Sequence, residues 1–164
     1  MTQLITTATT ARTTSPGWRV WNLAAVAALT AYSTGIAWQA QFVSYPLYRA
    51  MSPDEFPAYH LAYNAAIPGV VIIPGFLGFL ACAAFPWTRP AGIPRLAAAL
   101  VAVSGLGSIL STVLWAIPRH DLLDRIGQDD ATITSLIQAN GVRTALLTLG
   151  AATLSWSLVR LIRR

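Results

Sequence analysis

The chain has 164 residues, 55% of them hydrophobic and 10% charged, with a mean hydropathy of +0.55. Soluble domains carry about 25% charged residues, so this composition excludes a surface built for water, and the length excludes a large carrier made of inverted repeats. The formal charge of +5 rests on eleven arginines and no lysine, spaced singly between apolar runs; that spacing excludes the basic stripe of a nucleic-acid binder.

Residues 1–17 contain seven threonines, Pro16 and Gly17, with no apolar periodicity, and are expected to form a flexible tail. The apolar run that follows exceeds the roughly 7–15 residues of a signal h-region and lacks a small-x-small site at its end, so cleavage is not expected. Residues 18–164 are expected to form one all-α domain, an integral membrane four-helix bundle. Its apolar segments run from about Val20 to Phe42, Ile67 to Phe85, Leu96 to Ile117 and Ile137 to Val159, each near the roughly 20 residues that cross a bilayer core. Backbone groups in lipid must be satisfied within the segment, so helices are expected at about 18–44, 57–86, 95–118 and 131–161. Trp18, Trp21, Trp87, Trp115 and Trp156 fall where interfacial anchors belong.

The first helix carries Ala27, Ala31 and Gly35 at a spacing of four, and the third carries Ser104, Ser108 and Thr112; both stripes predict close helix packing. Pro68 and Pro74 predict a kink in the second helix. Cys82, the single cysteine, lies in an apolar run and is read as a buried small hydrophobe. Arg12, Arg19, Arg89, Arg95, Arg160, Arg163 and Arg164 flank one end of the helices. Arg49, Arg119, Arg125 and all six acidic residues lie at the other. Seven arginines against three predict both termini in the cytoplasm.

Polar residues gather at the end away from the termini. Ser52-Pro53-Asp54-Glu55 has the form of a capped helix start, and Pro57 predicts a short turn at 53–56 before the second helix. On that helix Tyr59 and Tyr63, and His60 and Asn64, are four apart. Interface anchoring is the favoured reading of the tyrosines over a site role. His60 suits either a hydrogen-bonded core pair or proton transfer. Pro118 is expected to end the third helix, leaving His120 in a loop beside Asp121. In the fourth helix Asn140, Arg143 and Thr144 share a face of an otherwise uncharged run. An intramembrane arginine either faces the bundle interior or snorkels to the headgroups.

By depth, His60, Asn64, Tyr63, His120, Asn140, Arg143 and Thr144 share the outer third of the bundle, with Tyr45 and Arg49 closing the ring. His60, Arg143 and Asn140 are the candidate catalytic residues; Asn64, His120, Tyr63, Thr144 and Tyr45 are the candidate substrate-binding ones. No His-Glu-x-x-His, Cys-x-x-Cys or glycine-rich phosphate loop occurs, so no metal or cofactor is expected. A haem held by His60 and His120 is a remote alternative that rests only on there being two histidines.

The segment from Ile117 to Leu154 resembles the second half of the small four-helix bacterial membrane proteins similar to the anthrone oxygenase-like family. Pro118 and His120 match the element closing helix three, and Asn140, Arg143 and Thr144 match Asn-x-x-Arg-Thr in helix four. Tyr45-Pro46 and Tyr59-His60 resemble the family's front elements. The chain departs from the pattern at Tyr63, where members often have a second histidine, and at Gly141, where they often have tryptophan. The resemblance implies a cofactor-independent oxygenase acting on polycyclic anthrones in a few fungal relatives and no established activity for most bacterial members. The expectation here is a bacterial cytoplasmic-membrane protein, an enzyme acting on a lipophilic aromatic or isoprenoid molecule. A non-catalytic assembly partner, or a binder of lipid or quinone, is the competing expectation. The bilayer is the expected partner; a lipophilic small molecule and a second copy of the chain are further candidates.

Overall fold

The computed structural model describes residues 17–163, so the expected tail lies outside the described residues except for Gly17. All regular structure among these residues is helical. Four rods of nearly equal length make up the domain: α1 (Trp18–Ala50), α2 (Phe56–Thr88), α3 (Arg95–Ile126) and α4 (Asp130–Ile162). All four are long and apolar enough to cross a membrane. Each is about 50 Å long at 1.5 Å per residue, against a hydrocarbon core of about 30 Å. Several turns of each rod therefore overrun an apolar layer.

Short connections make neighbours in sequence neighbours in space. α1 packs on α2 and α4, and α3 on the same two, the up-down-up-down arrangement of antiparallel bundles. Two apolar cores are stacked along the axis. One, nearer the termini, unites Leu23, Val26, Phe85, Ile93, Val101 and Leu154. The other, beneath the polar connections, unites Tyr45, Tyr48, Phe56, Leu123, Ile133 and Leu136. The outward faces carry Phe42, Leu61, Ile73, Leu77, Val103 and Leu114, all exposed, as a lipid-facing surface requires.

Three of the four rods contain a π-helical turn: Ala40–Ser44 in α1, Pro68–Ile72 in α2 and Thr112–Ala116 in α3. Each turn ends two residues before a proline, namely Pro46, Pro74 and Pro118. A proline inside an α-helix has no N–H and crowds the carbonyl four residues back. Widening the preceding turn to i→i+5 bonding relieves that clash. The hydrogen bonds from Tyr45 N–H to Ala40 O, Ile73 N–H to Pro68 O and Ile117 N–H to Thr112 O show this spacing. On α2 the carbonyl that Pro74 cannot serve, that of Val70, accepts from the Tyr32 hydroxyl of α1 at 3.0 Å.

Two expected boundaries are corrected by this device. α1 continues to Ala50 rather than stopping near residue 44, and α3 continues to Ile126 rather than ending at Pro118. His120 is therefore a helical residue, and Asp121 is exposed with no hydrogen bond to it. The starts of α2 and α4 fall within one residue of expectation. The 53–56 turn is present, but Ser52 caps no helix: its hydroxyl donates to the Glu55 carboxylate at 2.8 Å.

Small residues set the helix spacing, though of the expected stripe of α1 only Ala27 packs against the core. Ala31 and Gly35 face outward, and a Cβ at Gly35 would meet nothing within 4 Å. The close approaches belong to α3, where Ser104 and Ser108 are buried as expected. A Cβ at Gly105 would lie 2.7 Å from Cys82 Cβ, and one at Gly150 of α4 would lie 3.1 Å from Ser104 Cβ. Gly105→Val is accordingly expected to force α2 and α3 apart at a cost of about 1–3 kcal/mol or more. The check is the thermal midpoint of the detergent-solubilised protein, which should fall by several degrees and recover in part when Cys82→Gly is added.

Three of the expected anchors, Trp18, Trp21 and Trp87, are more than 60% exposed at the terminal end, with Trp156 on the same half. Trp115 differs: it is half-buried, and its indole donates to Ser135 Oγ at 3.0 Å. α4, the only rod without a π turn, starts on a side-chain cap. Asp129 accepts from the Thr132 N–H (2.7 Å) and hydroxyl (2.6 Å), and these bonds hold its carboxyl below the usual 3.8. A depressed folded-state value contributes stability above the unfolded one and loses it as pH falls through the folded one. Asp129→Ala is thus expected to lower the melting temperature at neutral pH. The difference from the parent should close as the pH is taken below the carboxylate range.

Candidate functional site

Extending α3 past Pro118 carries His120 and Asp124, one turn apart, down the face that meets α2. α2 brings His60 and Asn64 to the same level at the same spacing. His60 is fully buried, stacked on Phe56 and packed edge-on to Tyr48. Its Nδ1 lies 2.6 Å from Asp124 Oδ1, its Nε2 lies 3.0 Å from His120 Nδ1, and His120 Nε2 lies 3.3 Å from the Tyr45 hydroxyl. Asn64 Nδ2 donates to Asp124 Oδ2 at 3.0 Å.

A carboxylate accepts only, and with both imidazoles neutral that sets one direction for the whole chain. His60 then donates from Nδ1 and accepts at Nε2, His120 donates from Nδ1 and accepts at Nε2, and Tyr45 donates its hydroxyl proton. Four groups from three helices form one relay in which every proton points toward Asp124, whose side chain is 38% exposed. The two imidazoles stack at 16° with centroids 5.2 Å apart. Rings in direct contact leave no slot for a porphyrin between them, so the haem alternative does not fit.

A second cluster sits one level deeper, on α4. Arg143 points inward and is only 9% exposed, which decides between the two sequence readings against snorkelling. Its Nη2 donates to Asn140 Oδ1. Asn140 is fully buried and its amide is committed to Ala37 O (3.0 Å), Gln41 Oε1 (2.7 Å) and Thr144 Oγ1 (3.3 Å). Thr144 in turn donates to the Asn140 carbonyl at 2.7 Å. Asn140 and Thr144 are thus saturated within the protein: they position Arg143 and have no free donor for a ligand.

The two clusters face a common chamber between the stacked cores. Its larger lobe, about 220 Å³, is bounded by Ser33, Ile36, Val71, Gly75, Phe79 and Arg143. A smaller lobe of about 40 Å³ reaches Tyr45, Tyr63, His120 and Arg143. All three π turns contribute wall residues to the smaller lobe: Ala40, Val71, Ile72, Thr112 and Ala116. Half-exposed Tyr32, Ile72, Phe76 and Val113 also line the larger lobe, so it opens on the apolar flank of the bundle. The opening lies where α2 passes through its π turn, none of whose residues is buried.

Of the eight sequence candidates, Tyr45, Tyr63, His120 and Arg143 border the chamber; His60 stands behind it in the relay, and Asn64 supports the relay's Asp124. Arg49 does not close the ring: it pairs with Asp130 at 2.5 Å and with Thr134 at 2.6 Å on the exposed side. Two residues escaped sequence reading. Asp124 carried a signal, the i,i+4 spacing from His120, which appears only once the helix is extended. Tyr48, fully buried among the rings of Tyr45, Phe56, Tyr59, His60 and Tyr63, carried none. Among the described residues no trio of His, Cys, Asp or Glu is arranged to hold a metal ion.

Neither a family model, nor a curated protein, nor a solved structure matches this chain.

Proposed function

We propose that the protein is an intramembrane acid–base enzyme that takes a proton from a lipophilic molecule entering the chamber from the bilayer. The observation that carries this reading is the continuous relay from Tyr45, at the chamber wall, through His120 and His60 to Asp124. General acid–base groups contribute about 10²–10⁴-fold when they lie within hydrogen-bond reach of the moving proton. Tyr45 accepts the substrate proton as its own passes to His120 Nε2. The Nδ1 proton of His120 moves to His60 Nε2, and that of His60 moves to Asp124. The negative charge left on the substrate is thereby balanced by a proton delivered to a water-facing carboxylate, and each imidazole ends in the opposite tautomer.

The resemblance to the anthrone oxygenase-like family supplies the chemistry such a base would serve. Deprotonating the ring CH2 that lies across the central ring from the carbonyl gives an enolate, because the charge is passed through the fused rings to the carbonyl oxygen. Dioxygen adds to that carbon, and loss of water from the peroxide leaves a second carbonyl, so that CH2 and O2 become C=O and H2O. Arg143, at the junction of both lobes, is placed to hold the enolate oxygen. The test is to supply anthrone to the full chain in lipid nanodiscs and follow anthraquinone absorbance and oxygen uptake. Turnover no faster than in empty nanodiscs ends the oxygenase assignment, and exchange of the ring CH2 protons with deuterated water then tests proton abstraction alone. The competing reading, a quinone or lipid binder without chemistry, is favoured by how apolar the chamber is; it predicts binding of anthraquinone with neither exchange nor turnover.

We further propose that the site end faces outward and both termini face the cytoplasm of a bacterial membrane, supported by seven arginines at the terminal end of the helices against three at the other. Membrane-impermeant labelling of single cysteines at Asp54 and Arg95, in the Cys82→Ala background, tests the orientation. Labelling of the second but not the first in intact cells overturns it.

A further inference from the structure

Arg143 is a cation without a counter-charge. Among the described residues the ion pairs are Arg49 with Asp130 and His60 with Asp124; Arg143 has only neutral neighbours, donating to Asn140 through Nη2 and lying beside the Tyr45 hydroxyl. Its Nε is buried and has no hydrogen-bond partner, although the side chain borders both lobes of the chamber. Ser33 Oγ, on the α1 side of the larger lobe, is also buried and unpartnered. A charge taken out of water is retained only where another charge or a full set of hydrogen bonds answers it, and here the bundle supplies neither. The rest of the wall is mostly aliphatic and aromatic, with Thr30, Ser108, Thr112 and Cys82 among it. An apolar cavity of about 150 Å³ holds benzene, so a side-open lobe of about 220 Å³ accommodates a flat fused-ring system or a comparable length of chain.

We infer that the chamber binds its ligand as an oxyanion: a carboxylate, enolate or phenolate on an apolar ring or chain, with the anionic oxygen on Arg143 and the body among Ile36, Val71, Phe79 and Val113. This deepens the proposed acid–base role by naming the charge state in which the bound molecule is stabilised, and it rests on that reading only for the claim that the bound molecule reacts. Asn140 serves as the positioning residue, since its Oδ1 fixes the guanidinium while its amide is tied to α1.

The test compares two fluorescent probes of nearly equal shape, anthracene-9-carboxylate and 9-anthracenemethanol, titrated against the full chain in neutral-lipid nanodiscs with empty nanodiscs subtracted. The carboxylate is expected to bind about ten- to hundredfold more tightly, the range of a charge-assisted hydrogen bond. Arg143→Gln should erase that preference while leaving the alcohol's affinity in place, and Arg143→Lys should restore part of it. Equal binding of the two probes by the parent protein overturns the inference without any variant, and so does a preference that survives in Arg143→Gln. Displacement by palmitate would identify chain lipids as the source of the anion; displacement only by 2-naphthoate would identify aromatic acids, and either result presupposes the shared oxyanion site. Charge preference with neither anthrone turnover nor CH2 exchange keeps this inference and ends the enzymatic reading; turnover or exchange without charge preference does the reverse.

Discussion

His120→Phe is expected to lower anthrone turnover, or exchange of its ring CH2 protons, by about 10²–10⁴-fold, the range of general acid–base groups. The substitution keeps the aromatic packing against Tyr45 and Tyr63 but removes both nitrogens from the middle of the relay. His60 loses the donor at its Nε2 and Tyr45 loses its acceptor. Asp124→Asn makes the same point from the other end, because an amide cannot take up the arriving proton. Asp124→Asn should bind anthracene-9-carboxylate like the parent, since Asp124 lines neither lobe of the chamber. Full turnover in His120→Phe would remove the relay from the chemistry and reduce it to a polar tie between α2 and α3.

Arg143→Gln is expected to reduce turnover by about 10²–10³-fold, the effect of removing one preorganised oxyanion donor. The folded protein should survive it. Glutamine still offers an amide to Asn140 Oδ1, and the burial of an unanswered charge is relieved at the same time. Arg143→Leu is a different experiment: it strands Asn140 Oδ1 in the core, which costs about 1–3 kcal/mol. Comparing the melting temperatures of the two variants with their turnover separates a binding role from a merely structural one. If Arg143→Gln melts several degrees lower yet keeps its rate, the guanidinium holds helices together and binds nothing.

The four rods and their ends near residues 18, 56, 95, 130 and 162 were legible because apolar runs of bilayer length leave little alternative to a helix. The inward aim of Arg143 was foreseeable for the same reason: a lone charge in such a run must find polar company, and Asn140 three residues earlier offers it. What the sequence hid has a common cause. Pro46 and Pro118 are helix breakers under α-helical bonding, and one π turn before each removes the conflict without leaving a compositional mark. Once α3 was expected to end at Pro118, His120 became a loop residue and Asp124 disappeared from the site. The small-residue stripe of α1 misled in another way. Ala27, Ala31 and Gly35 suit either a tight interface or an outward face, and only the pairing of Gly105 with Cys82 and of Gly150 with Ser104 reveals where the helices touch.

The π turns also act as phase shifters. Each adds one residue to a rod, and one residue is about 100° of rotation around an α-helix. Everything on the site side of the bulge is turned by that angle relative to where an uninterrupted helix would aim it. Without the extra residue in α3, His120 and Asp124 would swing off the face that meets His60 and toward the lipid, and without the one in α1, Tyr45 would leave the chamber wall. Deleting a single residue from Thr112–Ala116 should thus dismantle the relay while leaving the core of Leu23, Phe85 and Val101 intact. The reactive geometry of this protein is in that sense a matter of counting: three single-residue insertions, each underwritten by a proline, set the angular register of the upper half of the bundle against the lower.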